Sequence, residues 1–150
     1  MMYRTHLALA LFLGLLFLPY VREQIFFLPI VLLCALLPDI DCMHSRLGRY
    51  WFFRPIQWFI KHRGMLHSLT FCVVVALLIS FAFPVIAFPF FLGYASHLFG
   101  DAITEEGIRP WWPLKKEIKG FFRTGKRIEK GIFVGLIIVS VFLAIHFFWY

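Results

Sequence analysis

Residues 69–98 contain no Asp, Glu, Lys or Arg, and no other feature limits the fold of this chain so severely. At about 1.5 Å per residue the stretch is too long for one crossing of a hydrocarbon core of about 30 Å, and it suits two. Pro84 and Pro89 lie within it. Proline removes a helical donor, so the chain is expected to turn near Pro84. Further apolar runs occupy residues 7–21, 25–37 and 132–150. With 61% hydrophobic and 15% charged residues, against about half and a quarter in soluble domains, the expectation is an all-α, polytopic membrane bundle of about five helices. It fills a single integral membrane domain, residues 1–150, with a core over 1–113, a basic interfacial segment over 105–130 and a last transmembrane helix over 131–150.

The first two runs are shorter than the roughly 20 residues a crossing needs. Extending them to Arg4 and Asp39 recovers most of the length, and full crossing is expected. A pair of hairpins dipping into one leaflet is the alternative. Arg4 before an apolar run also fits a secretory signal, but no small-residue cleavage site follows in Leu18-Pro19-Tyr20-Val21, so retention is expected. Cys34, Cys42 and Cys72 show no paired spacing and read as small core residues without a disulfide framework.

If every run crosses, one side of the membrane holds Arg4 and both long connections, 39–68 and 105–130. That side then carries 14 of the 15 Lys and Arg residues, and only Arg22 lies opposite. Under the positive-inside rule the N-terminus and both connections are expected on the cytoplasmic face. The net charge of +7 then belongs to one face, where anionic headgroups attract it. Membrane lipids are the expected partners. No nucleic-acid partner is expected, because no soluble domain is available to bind one.

Ionisable residues near a membrane are expensive and need a reason. His6 opens helix 1, Asp39 and Asp41 close helix 2, His62 and His67 lie where helix 3 begins, and His97 and Asp101 close helix 4. Alternating helix direction brings all seven to one depth, at the cytoplasmic ends of helices 1–4. Each has an ordinary reading by itself: an interfacial histidine, a helix-ending turn, a basic loop, a hydrogen-bonded pair. Their coincidence at one level points to a metal site. His97 and Asp101 are i and i+4, which places both on one helix face, able to share a cation. Gly93 and Gly100 allow a neighbour close to that face. Gly64 places His62 on the entry loop and His67 in the first turn of helix 3. Asp39 and Asp41 follow Pro38, where an extended stretch would point both to the same side. Imidazole with carboxylate suits zinc, manganese or iron better than calcium or magnesium. His44 and His146 are not assigned to the site.

Several of these motifs carry a resemblance. Thr5-His6, LPDID at 37–41 with Ser45, HRGMLHS at 62–68, GYASHLFGDAIT at 93–104 and GIRPWWP at 107–113 resemble, in this order, the YdjM-like family. That family is described as predicted inner-membrane metal-dependent hydrolases. The likeness runs from residue 5 to 113 and leaves out the C-terminal span. Cys42 stands where the pattern often has His, and the neighbouring His44 could substitute. The order His, Asp, His, His-x-x-x-Asp is also similar, more weakly, to zinc-dependent phospholipase C and the related single-strand nucleases. That similarity implies His6, Asp41, His67, His97 and Asp101 as ligands, with Asp101 able to bridge two ions, and phosphoester hydrolysis as the chemistry. The further late His and Glu ligands of that superfamily have no clear match, so one or two ions are expected, zinc first.

The resulting expectation is a hydrolase using water activated on a bound divalent metal. Asp39 or Asp41 would accept the proton, Asp41 first because it lies closer to the polar loop, the other serving as ligand or as partner to a histidine. Arg63 and the 105–130 segment would hold an anionic phosphate, and Trp111-Trp112-Pro113 would anchor that segment at the interface. A phospholipid or lipid-linked phosphate fits as substrate. Two other classes use the same residues. One is a non-catalytic metal-binding regulator or sensor. The other is a small transporter, against which the helix-end position of the polar groups counts.

Overall fold

A computed structural model describes residues 1–43, 45–59 and 63–149. The order of elements is α1 (Tyr3–Phe17), α2 (Gln24–Cys34), the short α3 (Arg54–Phe59), α4 (Leu69–Ala82), α5 (Pro84–Ala102) and α6 (Arg127–Trp149). Among the described residues there are no strands, only isolated bridges between Thr104 and Phe122 and between Ile108 and Ile118. The all-helical architecture with five principal helices matches the expectation from hydropathy.

Four segments are long and apolar enough to cross a membrane: Tyr3–Tyr20, Gln24–Asp41, Pro84–Ala102 and Arg127–Phe147. The two short early runs reach that length because 3-10 turns, Leu18–Tyr20 and Pro38–Asp41, continue α1 and extend the α2 segment. The long uncharged stretch does break at Pro84, which sits at the first position of α5, where a missing N–H costs nothing. The division is uneven, however. α4 has 14 residues, about 21 Å, which is less than a typical core thickness. The last helix begins at Arg127, inside the segment expected to be wholly interfacial. Residues 105–126 otherwise pair on themselves between Ile108 and Ile118 and return to the end of α5, where the Gly120 and Phe121 N–H groups donate to the Thr104 and Ile103 carbonyls.

α5 is the central helix and packs on α1, α2 and α4, while α6 docks on α1. One core cluster gathers Leu15, Phe27 and Val31, and a second gathers Cys72, Phe90, Tyr94 and Leu98. The three cysteines are free, as expected. Large apolar side chains also cover the outside, including Phe81, Ile138 and Phe142. An apolar exterior is what a lipid-facing bundle requires, and close backbone contact then carries much of the helix association. Gly93 shows this: a Cβ there would lie 2.2 Å from the Val31 carbonyl oxygen. That contact presses the last turns of α2 against the middle of α5, about one turn before His97 and two before Asp101.

Candidate metal centre

Four elements deliver the polar residues to one end of the bundle. His6 lies in the first turns of α1, and His97 and Asp101 lie one turn apart at the end of α5. Asp39 and Asp41 sit in the 3-10 turn Pro38–Asp41, and His67 closes the 3-10 turn Met65–His67. His67 therefore precedes α4 rather than occupying its first turn, because Ser68 is the N-cap, accepting from the Phe71 N–H at 3.1 Å. His62 and His44 lie outside the described residues.

Among the described residues two overlapping groups of ligand atoms form, His6–His97–Asp101 and Asp39–His67–His97, with all atoms of each within 4.8 Å of one another. Nε2 of His97 lies 3.5 Å from Asp101 Oδ2 and 3.7 Å from Asp39 Oδ1. Nε2 of His67 lies 3.6 Å from the same Asp101 oxygen and 3.9 Å from Asp39 Oδ1. Ligands of a tetrahedral ion with bonds of about 2.1 Å sit about 3.4 Å apart, so the spacing suits one. The other oxygen of Asp101 faces His6 Nε2 at 3.3 Å and the Met1 amino group at 2.5 Å. His6 stacks on His97 with ring centroids 3.8 Å apart. Gly100 makes room for this, since a Cβ there would press on His6 Nδ1 at 3.0 Å.

Tautomers decide what the cluster can hold. Nδ1 of His97 lies 2.7 Å from the Ala35 carbonyl oxygen, so it is assigned as the donor there. Nε2 then carries a lone pair, is buried without a hydrogen-bond partner, and faces two carboxylates. A lone pair opposed to two anions is unfavourable unless a cation lies between them, and the donor set fits a divalent transition metal. Nδ1 of His67 lies 3.2 Å from Asp41 Oδ2, the carboxylate–histidine pairing that orients metal ligands. All these groups are buried except Asp39, whose side chain is 22% exposed and forms the accessible edge of the cluster.

Asp39 and Asp41 do not point the same way. The expected extended stretch is instead a 3-10 turn of three residues per turn, which sends residues two apart to different sides. Asp39 faces the Nε2 side of His67 and Asp41 its Nδ1 side, so Asp41 belongs to neither ligand group. Arg63 stands at the rim with a left-handed φ of 60°, rare for a long side chain. Its Nη2 is 3.8 Å from Asp101 Oδ2 and 2.5 Å from Glu106 Oε2, and its Nη1 donates to the Gly107 carbonyl at 3.1 Å. A cavity of about 140 Å³ opens beside it, lined also by Gly64, Glu106 and Arg109.

Four supporting residues had been given no role by the sequence, although Ser45 and Tyr94 fall within its motifs. The Tyr94 hydroxyl donates to the Leu66 carbonyl at 2.6 Å and so holds the turn that carries His67. Ser45 Oγ donates to the Asp39 carbonyl at 2.6 Å. Glu106 pairs with Arg63, and buried Glu129 accepts from the Met2 N–H at 2.6 Å, tying the start of α6 to that of α1. Tyr94 had one signal, its position three residues before His97 on the same helix face.

The chain is 33% identical over 129 residues to the inner membrane protein YdjM of Escherichia coli K12, and equally to that of Shigella flexneri. These matches cover 77% of this chain, which spans 65% of the length of those proteins. It is 30% identical over 114 residues to YvsG of Bacillus subtilis, covering 72% of this chain and 71% of that protein. No solved structure matches. The profile described as YdjM inner membrane protein matches residues 1–150, the C-terminal helix included, and the chain belongs to the YdjM inner membrane protein family.

Proposed function

We propose that this YdjM-family membrane protein is a metal-dependent hydrolase acting on a phosphoester of a lipid or lipid-linked substrate, with its site on the cytoplasmic face. The observation that carries this reading is the convergence of His67 and His97 Nε2 on the Asp39 and Asp101 carboxylates, beside an arginine-lined cavity. His67, His97, Asp101 and Asp39 would hold the ion, with His6 completing the second group. A bound divalent ion, zinc first, would supply Lewis acidity and lower the pKa of water toward neutrality.

The chain's own residues do the rest. The Ala35 carbonyl and Asp41 keep the two imidazoles turned with Nε2 toward the cluster. Asp39, at the accessible edge, would accept a proton from an incoming water through the carboxylate oxygen that does not hold the ion. Arg63 can exchange its exposed partner Glu106 for a substrate phosphate, keeping a charge-assisted contact. Buried apolar helices around the cluster exclude bulk water and strengthen each of these interactions. The site opens at one end of the spanning helices, which suits a substrate whose headgroup lies at the interface.

Metal analysis of purified protein followed by a panel of phospholipid, lipid-linked phosphate and nucleotide esters tests the reading. Stoichiometric metal with hydrolysis of one class supports it. Metal bound with no hydrolysis of any of them transfers the site to a non-catalytic regulator or sensor.

A further inference from the structure

A second feature lies at the same end of the bundle, where Arg4, two residues before His6 on α1, faces away from it. The guanidiniums of Arg4 and Arg46 converge on the ring of Tyr3, with Cζ 5.7 Å and 4.3 Å from its centroid, and Arg4 Nε donates to the Tyr3 hydroxyl at 3.0 Å. Both arginines are exposed. Among the described residues Arg63, Arg109, Lys119 and Arg123 pair with carboxylates, whereas Arg4 and Arg46, like Arg49 and Lys116, do not; only Arg4 and Arg46 share one ring. The ring holds two like charges together and gives neither a counter-ion.

Directly below Arg4 a groove of about 310 Å³ follows α1 inward. Its floor is Ala8, only 2% exposed, with Leu7 and Leu11. One wall is Leu32 of α2, and the other is Phe133 and Ile137 of α6. Arg4, Leu7, Ala8 and Leu11 share one helix face at the i, i+3, i+4, i+7 spacing. From Arg4 to Leu11 the groove runs about 10 Å along the helix axis. Apart from Arg4 its lining is wholly apolar. The small side chain of Ala8 sinks the floor between its taller neighbours.

We infer that this is a binding site for one anionic phospholipid of the bilayer. Its phosphate lies between Arg4 and Arg46, and one acyl chain fills the groove between α2 and α6. Charge complementarity chooses the occupant: unpaired guanidiniums above an apolar channel match a phosphate attached to a hydrocarbon chain. Basic pockets between helices at a cytoplasmic face recognise lipid headgroups in this way. A zwitterionic lipid would bring a cation of its own to a place that already holds two. Because α6 forms one wall, the lipid also bridges α6 to α1 and α2. This inference does not depend on the metal centre.

The test uses the full chain purified in an uncharged detergent. Phosphatidylglycerol should raise the unfolding midpoint by about 5 °C or more at saturation and should be retained in native mass spectrometry at one per chain. Phosphatidylcholine should do neither. Arg4→Gln combined with Arg46→Gln should abolish both effects, while Arg4→Lys with Arg46→Lys should keep most of the shift. Helix content and metal content of the double glutamine variant should equal those of the unaltered chain, which separates this site from the metal reading. An equal shift with phosphatidylcholine, or an undiminished shift in the glutamine variant, overturns the proposal. A full shift with glycerol 1-phosphate alone also overturns it, because the groove would then contribute nothing.

Discussion

His97 gives its Nδ1 proton to the carbonyl oxygen of Ala35, 2.7 Å away, so the C-cap residue of α2 selects the nitrogen that α5 presents to the cluster. Carbonyls at a helix C-terminus lack an intrahelical partner. Here one of them is satisfied by the residue whose tautomer most affects metal binding.

Replacing His97 with Ala should therefore strip the metal while leaving the helices inserted, since lipid burial supplies most of their stability. Elemental analysis with circular dichroism checks both halves. Metal content equal to that of the unaltered protein would remove His97 from the ligand set.

Asp41 and Tyr94 act on His67 from behind, and their loss should be milder. Asp41→Asn and Tyr94→Phe should each weaken metal affinity about 10- to 100-fold, with excess metal restoring occupancy. Activity that returns with the metal makes Asp41 an orienting residue. An Asp41→Asn protein that is fully loaded yet inactive would make Asp41 the general base, a loss of about 100- to 10,000-fold in rate.

Two glycines should respond oppositely. Gly93→Ala puts a Cβ 2.2 Å from a backbone oxygen of α2 that cannot step aside, and overpacking of this kind costs about 1–3 kcal/mol. Gly135 on α6 has nothing within 4 Å of a Cβ. Gly135→Ala should be neutral or stabilising by up to about 1 kcal/mol. Thermal unfolding in detergent measures both.

Glu117 provides a pH test outside the spanning helices. Hydrogen bonding to Lys119 and then to Arg109 holds its carboxyl down to about 2. A depressed carboxylate contributes its full stabilisation above the ordinary Glu range and loses it as pH falls from there through about 2. Hydrogen exchange at Ile108 and Ile118 should be indifferent to Glu117 between pH 8 and 5 and should accelerate below about 4. Glu117→Gln should erase that acid-side change.

The 14-to-1 division of basic residues predicts that reporters placed near residue 55 and residue 120 are both active on the cytoplasmic side. A reporter active on the outer side at either position would scatter the proposed site across the membrane.

Much of the architecture was legible in the residues themselves. Hydropathy marks the helices because a hydrocarbon core admits only apolar, internally bonded segments, and Pro84 marks the break between α4 and α5 because it cannot donate. Alternating direction then places His6, Asp39, His67, His97 and Asp101 at one end, where they do meet within ligand distance. These are properties of composition and spacing, and one dimension suffices to read them. The tertiary structure alone decided which side of His67 each aspartate faces, which carbonyl holds His97, and that Glu106 pairs with Arg63. The phase of the Pro38–Asp41 turn depends on how α2 seats against α5 at Gly93, and carbonyl partners such as Ala35 and Leu66 belong to backbone rather than side chain. Neither leaves a trace in residue identity, because every residue carries the same carbonyl and only packing determines which one points at an imidazole.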